Sequence, residues 1–224
     1  MRTAWTVLRK DLRLELRTLE TVPAMVLFAV VTFVIFHFGL NRDTIAGQEA
    51  AGVLVVALLF AAMLGINRLF VAEREQGGFD AFLLAPVDRS AMLLAKAAGL
   101  FIFLSVLEVI AVPAFKLFLL GPSLGPPLPG LVLVLVLANL GLSVIGTLVS
   151  AIAVHTRARD LIGPMIGLPL LIPALIATAR ATGPLLAGAH AATAPPLKWL
   201  ATLALYDLVF ALLAYAVFDF LLEE

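Results

Sequence analysis

Residues 129–154 read PGLVLVLVLANLGLSVIGTLVSAIAV, and the class of fold can be inferred from them. It contains no charged residue, and it is longer than the roughly 20 apolar residues with which a helix crosses a bilayer. Hydrocarbon offers the backbone no hydrogen-bond partners, so a lone apolar segment crosses it as a helix, in which the backbone groups bond one another. The stretch therefore predicts a membrane-spanning helix.

The rest of the chain has the same apolar character. Of its 224 residues, 62% are hydrophobic and 13% are charged, whereas soluble domains carry about 25% charged residues. A soluble fold of this size cannot hide so much apolar surface. The formal net charge is zero, so no nucleic-acid partner is expected. The chain contains no cysteine, which excludes disulfides, redox pairs and covalent haem attachment.

Six apolar stretches are long enough to span, and we predict an all-α membrane protein with one domain, residues 1–224. The predicted spans cover about 22–40, 50–71, 91–120, 129–154, 162–179 and 197–222. The fifth is the weakest as a single helix, because Pro164, Pro169 and Pro173 each remove a backbone hydrogen bond. Broken helices in transporters often act as hinges, so Pro169 and Pro173 form a candidate hinge; a kinked packing helix is the alternative.

Residues 1–20 differ from the spans that follow them. Apolar residues recur there at three- and four-residue spacing, with basic residues between them. The apolar residues are Trp5, Leu8, Leu12, Leu16 and Leu19, and the basic ones are Arg9, Lys10, Arg13 and Arg17. This pattern predicts an amphipathic helix in the membrane surface, with its cationic face toward lipid phosphates. A solvated run of charges is the alternative.

The distribution of lysine and arginine predicts the orientation of the chain. One side of the predicted membrane topology carries most of the positive charge: Arg2, Arg9, Lys10, Arg13, Arg17, Arg68, Arg74, Arg89, Lys96, Arg157 and Arg159. The opposite side carries Arg42, Arg180 and Lys198. Positive residues accumulate on the cytoplasmic side of membrane proteins, so both termini are expected in the cytoplasm. That orientation requires an even number of spans.

The loop between the second and third predicted spans is the strongest candidate for a functional site. Residues 73–89 read EREQGGFDAFLLAPVDR, with charged residues first, then an apolar face and a turn at Pro86. We call residues 73–86 the coupling segment. The pattern indicates a short cytoplasmic surface helix, including Asp80, that offers a contact to a soluble partner. A plain interfacial loop is the alternative.

Three ionisable residues lie within predicted spans, where each costs about 2.5–3.5 kcal/mol on insertion scales. Glu108 is near the middle of span three, Lys116 follows two turns later, and Asp207 is in span six. They indicate either a polar lining or interhelical carboxylate–lysine links. The alternative is a protonated carboxyl group bonded to a neighbouring helix.

Small residues cluster in span four, at Gly141, Ser143, Gly146, Thr147 and Ser150. Small side chains allow close approach of helix backbones in a membrane. The cluster is therefore compatible with close packing inside the chain or with a homodimer face.

Three stretches carry a family resemblance. The residues Glu73, Arg74, Glu75, Gly78, Leu83, Leu84, Pro86 and Lys96 resemble the coupling region of export-type ABC transporter permeases. Residues 9–15, RKDLRLE, and residues 168–176, LPLLIPALI, resemble the permease of cytochrome c maturation, the haem exporter protein B family. The resemblance extends from the amino end to about residue 176, and nothing is carried over to residues 177–198.

The resemblance implies a non-catalytic membrane subunit of the bacterial inner membrane, acting in haem delivery for c-type cytochromes. It implies a separate ATPase, in two copies, that binds ATP and docks on the coupling segment. It also implies haem-handling membrane partners and allows haem in the complex, with no cofactor assigned to this chain. The sequence agrees that ATP is bound elsewhere, because no lysine follows a glycine and a G-x-x-x-x-G-K-[ST] loop is absent.

Two other functions fit the same pattern of spans. One is an export-type permease for a lipid-linked sugar, drug or peptide, which would share the coupling segment. The other is a membrane scaffold without transport activity. An intramembrane enzyme is disfavoured, because the chain has no H-E-x-x-H motif, and its G-x-S-x-G match, residues 121–125, lies in a Pro- and Gly-rich loop between two predicted spans rather than between a strand and a helix.

Overall fold

The computed structural model describes residues 2–40, 42, 44–70, 89–120, 127–154 and 159–221. Every regular element in these ranges is helical. The helices are α1 (Arg2–Thr18), α2 (Thr21–Gly39), α3 (Gly47–Arg68), α4 (Arg89–Phe115), α5 (Leu128–Val154), α6 (Arg159–Thr182) and α7 (Leu197–Leu221). A π-helical turn, Lys116–Leu120, continues α4, and two 3₁₀ turns, Gly183–Leu186 and Gly188–His190, follow α6.

Helices α2 to α7 are the six helices of the described chain that are long and apolar enough to cross a membrane. This confirms the predicted number of spans. The fifth span, the weakest of the six by sequence, is one helix, because α6 runs through Pro164, Pro169 and Pro173.

Helices α3 and α5 form the centre of the bundle. Helix α5 packs against α4, α6 and α7, while α3 packs against α2 and α6. Within the spanning windows, 67% of the residues of α3 and of α5 are buried, against 17% for α2 and 11% for α7. The outer helices therefore turn most of their surface away from the protein, as expected where lipid is the solvent.

Small residues of α5 allow the central helices to approach one another. A Cβ atom on Gly146 would lie 2.7 Å from Cγ1 of Ile66 and 3.0 Å from Cδ2 of Leu100. The hydroxyl of Ser150 donates to the carbonyl of Ile66 over 3.0 Å. Bilayer helices gain stability from such close packing and hydrogen bonds. Part of the small-residue cluster predicted in span four is thus used inside the chain.

Helix α7 contacts the backbone of α6 beside one of its prolines. Because Pro173 has no N–H group, it cannot donate to the carbonyl of Pro169 one turn earlier. The hydroxyl of Tyr206 on α7 donates to the carbonyl of Leu170, the next residue along this turn. A polar group from a packed helix therefore lies one residue along the chain from the carbonyl that Pro173 leaves without its usual partner.

Candidate functional site

The coupling segment lies outside the described residues. The candidate site residues that are therefore not described are Glu73, Arg74, Glu75, Gly78, Asp80, Leu83, Leu84 and Pro86. The structure does describe both flanks of the segment, which are the end of α3 with Leu69 and Phe70, and the start of α4. The candidate site is therefore built from these flanks and from the helix that packs on them, α1.

Lys96 on α4 lies at the point where the two flanks meet. Its side chain is 2% exposed, and Nζ donates to the carbonyl of Leu69 over 3.0 Å. Leu69 follows the last residue of α3, where helix carbonyls lack partners and the helix dipole is negative. The ammonium also lies 5.3 Å from the ring centroid of Phe70. The cation thus stabilises the end of α3 immediately before the coupling segment.

Helix α1 supplies the counter-charge for Lys96. Oδ2 of Asp11 lies 2.8 Å from Nζ, and the Asp11 side chain is only 14% exposed. Burying an unpaired ammonium would cost several kcal/mol of desolvation free energy. Attraction to a carboxylate at this distance offsets roughly that cost. We call these four residues, Asp11, Leu69, Phe70 and Lys96, the Lys96 junction. It joins α1, α3 and α4 at one end of the bundle.

A second carboxylate of α1 fixes its other end. Oε1 of Glu15 accepts hydrogen bonds from the backbone N–H groups of Thr21, at 2.9 Å, and Val22, at 2.7 Å. The first N–H groups of a helix have no partner within it, so Glu15 caps α2. Leu19 makes the corner between the helices in the left-handed region, with φ of +50° and its N–H bonded to the Glu15 carbonyl.

The surface of α1 is divided into three faces. Ala4 and Leu8 pack against Ala91 and Ala95 of α4 on the same face as Asp11 and Glu15. Beside it, the apolar residues Trp5, Leu16 and Leu19 are exposed. The basic residues Arg9, Lys10, Arg13 and Arg17 occupy the side opposite the bundle and are exposed. The predicted apolar stripe is therefore shared between a protein contact and an exposed surface suited to lipid.

The two carboxylates within the spans, Glu108 and Asp207, lie in separate places. Nδ2 of Asn139 on α5 donates to Oε2 of Glu108 on α4 over 2.9 Å. Asp207 on α7 is 9% exposed, and its carboxylate lies so close to α5 that a Cβ atom on Gly141 would be 2.5 Å from Oδ1. Among the described residues, neither carboxylate forms an ion pair with Lys116, and neither oxygen of Asp207 has a hydrogen-bond partner.

For Glu108 the contact corresponds to one of the alternatives that the sequence left open, a carboxyl group bonded to a neighbouring helix, here through the amide of Asn139. The expected interhelical hydrogen bond of Asp207 is missing from the described part of the chain, where close packing against Gly141 takes its place. Lys116 opens the π-helical turn at the far end of α4 from the Lys96 junction.

The described residues contain no group of three or more His, Asp or Glu side chains that could hold a metal ion. His37, in the last turn of α2, packs beside Phe38 and Phe118. His190 lies in the second 3₁₀ turn after α6. These histidines lie outside the Lys96 junction.

The fold and the junction define a class: a six-span membrane subunit whose charged junction frames a connecting segment between the second and third spans. The CcmB protein family matches residues 2–218. This chain belongs to that family.

Three relatives share the name heme exporter protein B. The heme exporter protein B of Paracoccus denitrificans is 30% identical over 211 residues, covering 94% of this chain and 95% of the relative. That of Rhodobacter capsulatus is 30% identical over 171 residues, which is 76% of this chain and 78% of the relative. The heme exporter protein B of Pseudomonas aeruginosa is 30% identical over 188 residues, which cover 84% of this chain and 82% of the relative. The family resemblance predicted from the sequence is confirmed.

Proposed function

We propose that this chain is the membrane subunit of an ATP-driven haem exporter that serves c-type cytochrome assembly. The observation that carries the proposal is the family match over residues 2–218, which coincides with six spanning helices. The name of the relatives supplies haem as the exported class. Because the sequence lacks a phosphate-binding loop, a separate ATPase subunit supplies the energy.

The ATPase docks on the coupling segment, residues 73–86. The distribution of basic residues supports a cytoplasmic location for this segment and for both termini, with the chain in the bacterial inner membrane. The segment connects α3, a central helix, to α4. A push on the segment would therefore act on the packed centre of the bundle. Helix α6 packs on α3, and its residues Pro169 and Pro173 are the proposed hinge.

The ionisable residues within the spans have a structural role in this proposal. Glu108 links α4 to α5 through Asn139, and Asp207 seats α7 against Gly141. Lys116, at the end of the third span, extends its ammonium toward the membrane surface. These residues hold the helices in register while the coupling segment moves.

The complex contains two copies of the ATPase, because each ATP site in motors of this class is built between two copies. Two ATPases require two docking segments, contributed by a homodimer of this chain or by a second, haem-handling membrane protein. The mass of the purified complex distinguishes these two assemblies.

Affinity purification of the tagged chain in mild detergent tests the proposal. We expect an ATPase subunit and haem absorbance to accompany the wild-type chain. The double variant Glu73→Gln/Glu75→Gln should lose the ATPase while inserting into the membrane normally. Glu49→Gln is the matched control, because Glu49 is an exposed carboxylate, paired with Arg42 at the opposite end of the bundle.

The outcomes separate the alternatives. An ATPase without haem would favour an exporter of another substrate. A chain that purifies alone and colourless would contradict the proposal and favour a scaffold.

A further inference from the structure

We propose that α1 belongs to the coupling apparatus: the Lys96 junction fastens α1 to both flanks of the coupling segment, so that movement of the segment carries α1 with it. The inference rests on the proposed function, because the segment acts as a coupling element only if an ATPase docks there. Asp11 and Lys96 are then positioning residues, which transmit the movement without contacting ATP or haem.

The Lys96 junction joins the two described flanks of the coupling segment. Leu69 and Phe70 are the last described residues before the segment, and both contact the Lys96 ammonium, at 3.0 Å and 5.3 Å. Lys96 itself lies about two turns into α4, the helix that follows the segment. A single buried side chain thus joins the entry and the exit of the segment, and neither flank can shift without disturbing it.

Asp11 extends this connection to α1. Its carboxylate lies 2.8 Å from Nζ of Lys96, the only described ion pair by which α1 reaches α4. The apolar contact between these helices is made by Ala4 against Ala91 and Ala95, with Val7 and Leu8 partly buried beside them. Removing one partner of a buried ion pair leaves the other charge uncompensated, which is strongly destabilising. Loss of the Asp11 carboxylate should therefore weaken the attachment of α1 to the flanks.

The two ends of α1 are held by different partners. Glu15 caps α2 independently of the junction, so breaking the ion pair leaves the carboxyl end of α1 in place. Asp11→Asn should then free the amino-terminal half of α1 from α4 without unfolding the spans. This separation makes a role in coupling distinguishable from a role in folding.

Distance measurements between spin labels test the inference directly. The native chain has no cysteine, so labels can be placed at Arg13→Cys on the exposed side of α1 and at Ala194→Cys in the exposed loop after α6. The labelled chain is assembled with its ATPase in lipid nanodiscs, and a non-hydrolysable ATP analogue is added. We expect the analogue to shift the label distance by about 1–5 Å, the range of helix displacements in switching proteins.

The variants separate transmission from folding. Asp11→Asn should abolish the shift while the complex retains its bound ATPase, and Asp11→Glu should restore it. Glu20→Gln is the control, because Glu20 pairs with Arg68 at the same end of the bundle but both side chains are exposed. That variant should shift as the wild type does.

Three results would overturn the inference. Capture of the ATPase with no analogue-dependent shift in the wild type, or with an undiminished shift in Asp11→Asn, contradicts the inference alone. Failure of the wild-type chain to capture any ATPase contradicts the proposed function, and the inference falls with it.

Discussion

The centre and the rim of this bundle are both made of apolar helices, yet they are packed differently. In the spanning windows of α3 and α5, 67% of the residues are buried, whereas the value is 11% in α7. The centre carries glycines, alanines and hydroxyls at its contacts, as at Gly146 and Ser150. The rim instead exposes large side chains such as Leu208 and Leu212.

The difference shows which forces hold the helices together. Lipid tails are as apolar as leucine, so burying a leucine between helices gains little hydrophobic free energy. Close packing and hydrogen bonds decide the association instead, and both need small or polar residues at the contact. Large apolar residues on the rim are solvated by lipid, and small residues in the centre determine which helices pack together.

One helix contains both environments and offers the largest expected contrast. Leu203 and Leu208 lie on α7, but Leu203 is 0% exposed and Leu208 is 56% exposed. Leu203→Ala should lower the free energy of unfolding by about 2–5 kcal/mol, because it leaves a cavity. Leu208→Ala should change it by less than about 0.5 kcal/mol. Unfolding in mixed micelles measures both. Equal losses would mean that the Leu208 face is covered by a partner rather than by lipid.

The approach of α5 to α3 gives the next largest effect. Gly146→Leu would place side-chain atoms inside contact distance of Ile66, and we expect a loss of about 1–3 kcal/mol in the free energy of unfolding. Gly52→Ala is the control, because nothing lies within 4 Å of a Cβ atom there. That change should be neutral or stabilise by up to about 1 kcal/mol. Thermal unfolding in detergent compares the two, and a Gly146→Leu variant as stable as the wild type would contradict the packing described.

The link between Glu108 and Asn139 should contribute less. Asn139→Leu removes the donor and leaves Glu108 without it, at an expected cost of about 0.6–1.7 kcal/mol, the range of interhelical hydrogen bonds in membranes. Glu108→Gln preserves an acceptor for Asn139 and should cost less than about 0.5 kcal/mol. The same unfolding assay applies. Loss of complex activity in Glu108→Gln with unchanged stability would assign Glu108 a role beyond structure.

The smallest expected effect compares two hydroxyls. Ser150 donates across helices to Ile66, whereas Thr202 donates within α7 to Lys198. Ser150→Ala should cost about 0.6 kcal/mol, and Thr202→Ala should be indistinguishable from the wild type. A reversed order would show that the hydrogen bond between α3 and α5 contributes nothing to stability.

The sequence predicted the number of spans, because hydrocarbon imposes a length and an apolar composition on each one. It did not predict which spans are central, since α5 and α7 have similar runs of leucine and valine. The small residues at Gly146 and Ser150 carried that signal, but they fitted a homodimer face equally well.

The polar contacts were the least predictable part. Glu108 was recognised as costly, but its partner Asn139 was missed, although it is the one amide in an otherwise apolar run. Asp11 lies within residues 9–15 and contributed only to the family resemblance. Its pairing with Lys96 was not predicted, because the two residues are far apart in sequence. A signal was present, since Asp11 and Glu15 share one face of a helix whose other charges are basic.

Site-specific cross-linking shows whether the ATPase docks on the coupling segment. In the cysteine-free native background, a photoreactive maleimide is attached at Phe79→Cys in the coupling segment or at Ala194→Cys in the loop after α6. We predict that the label at position 79 captures the ATPase and that the label at position 194 does not. Capture from position 194, or from neither position in a complex that contains the ATPase, would contradict the docking of the ATPase on the coupling segment.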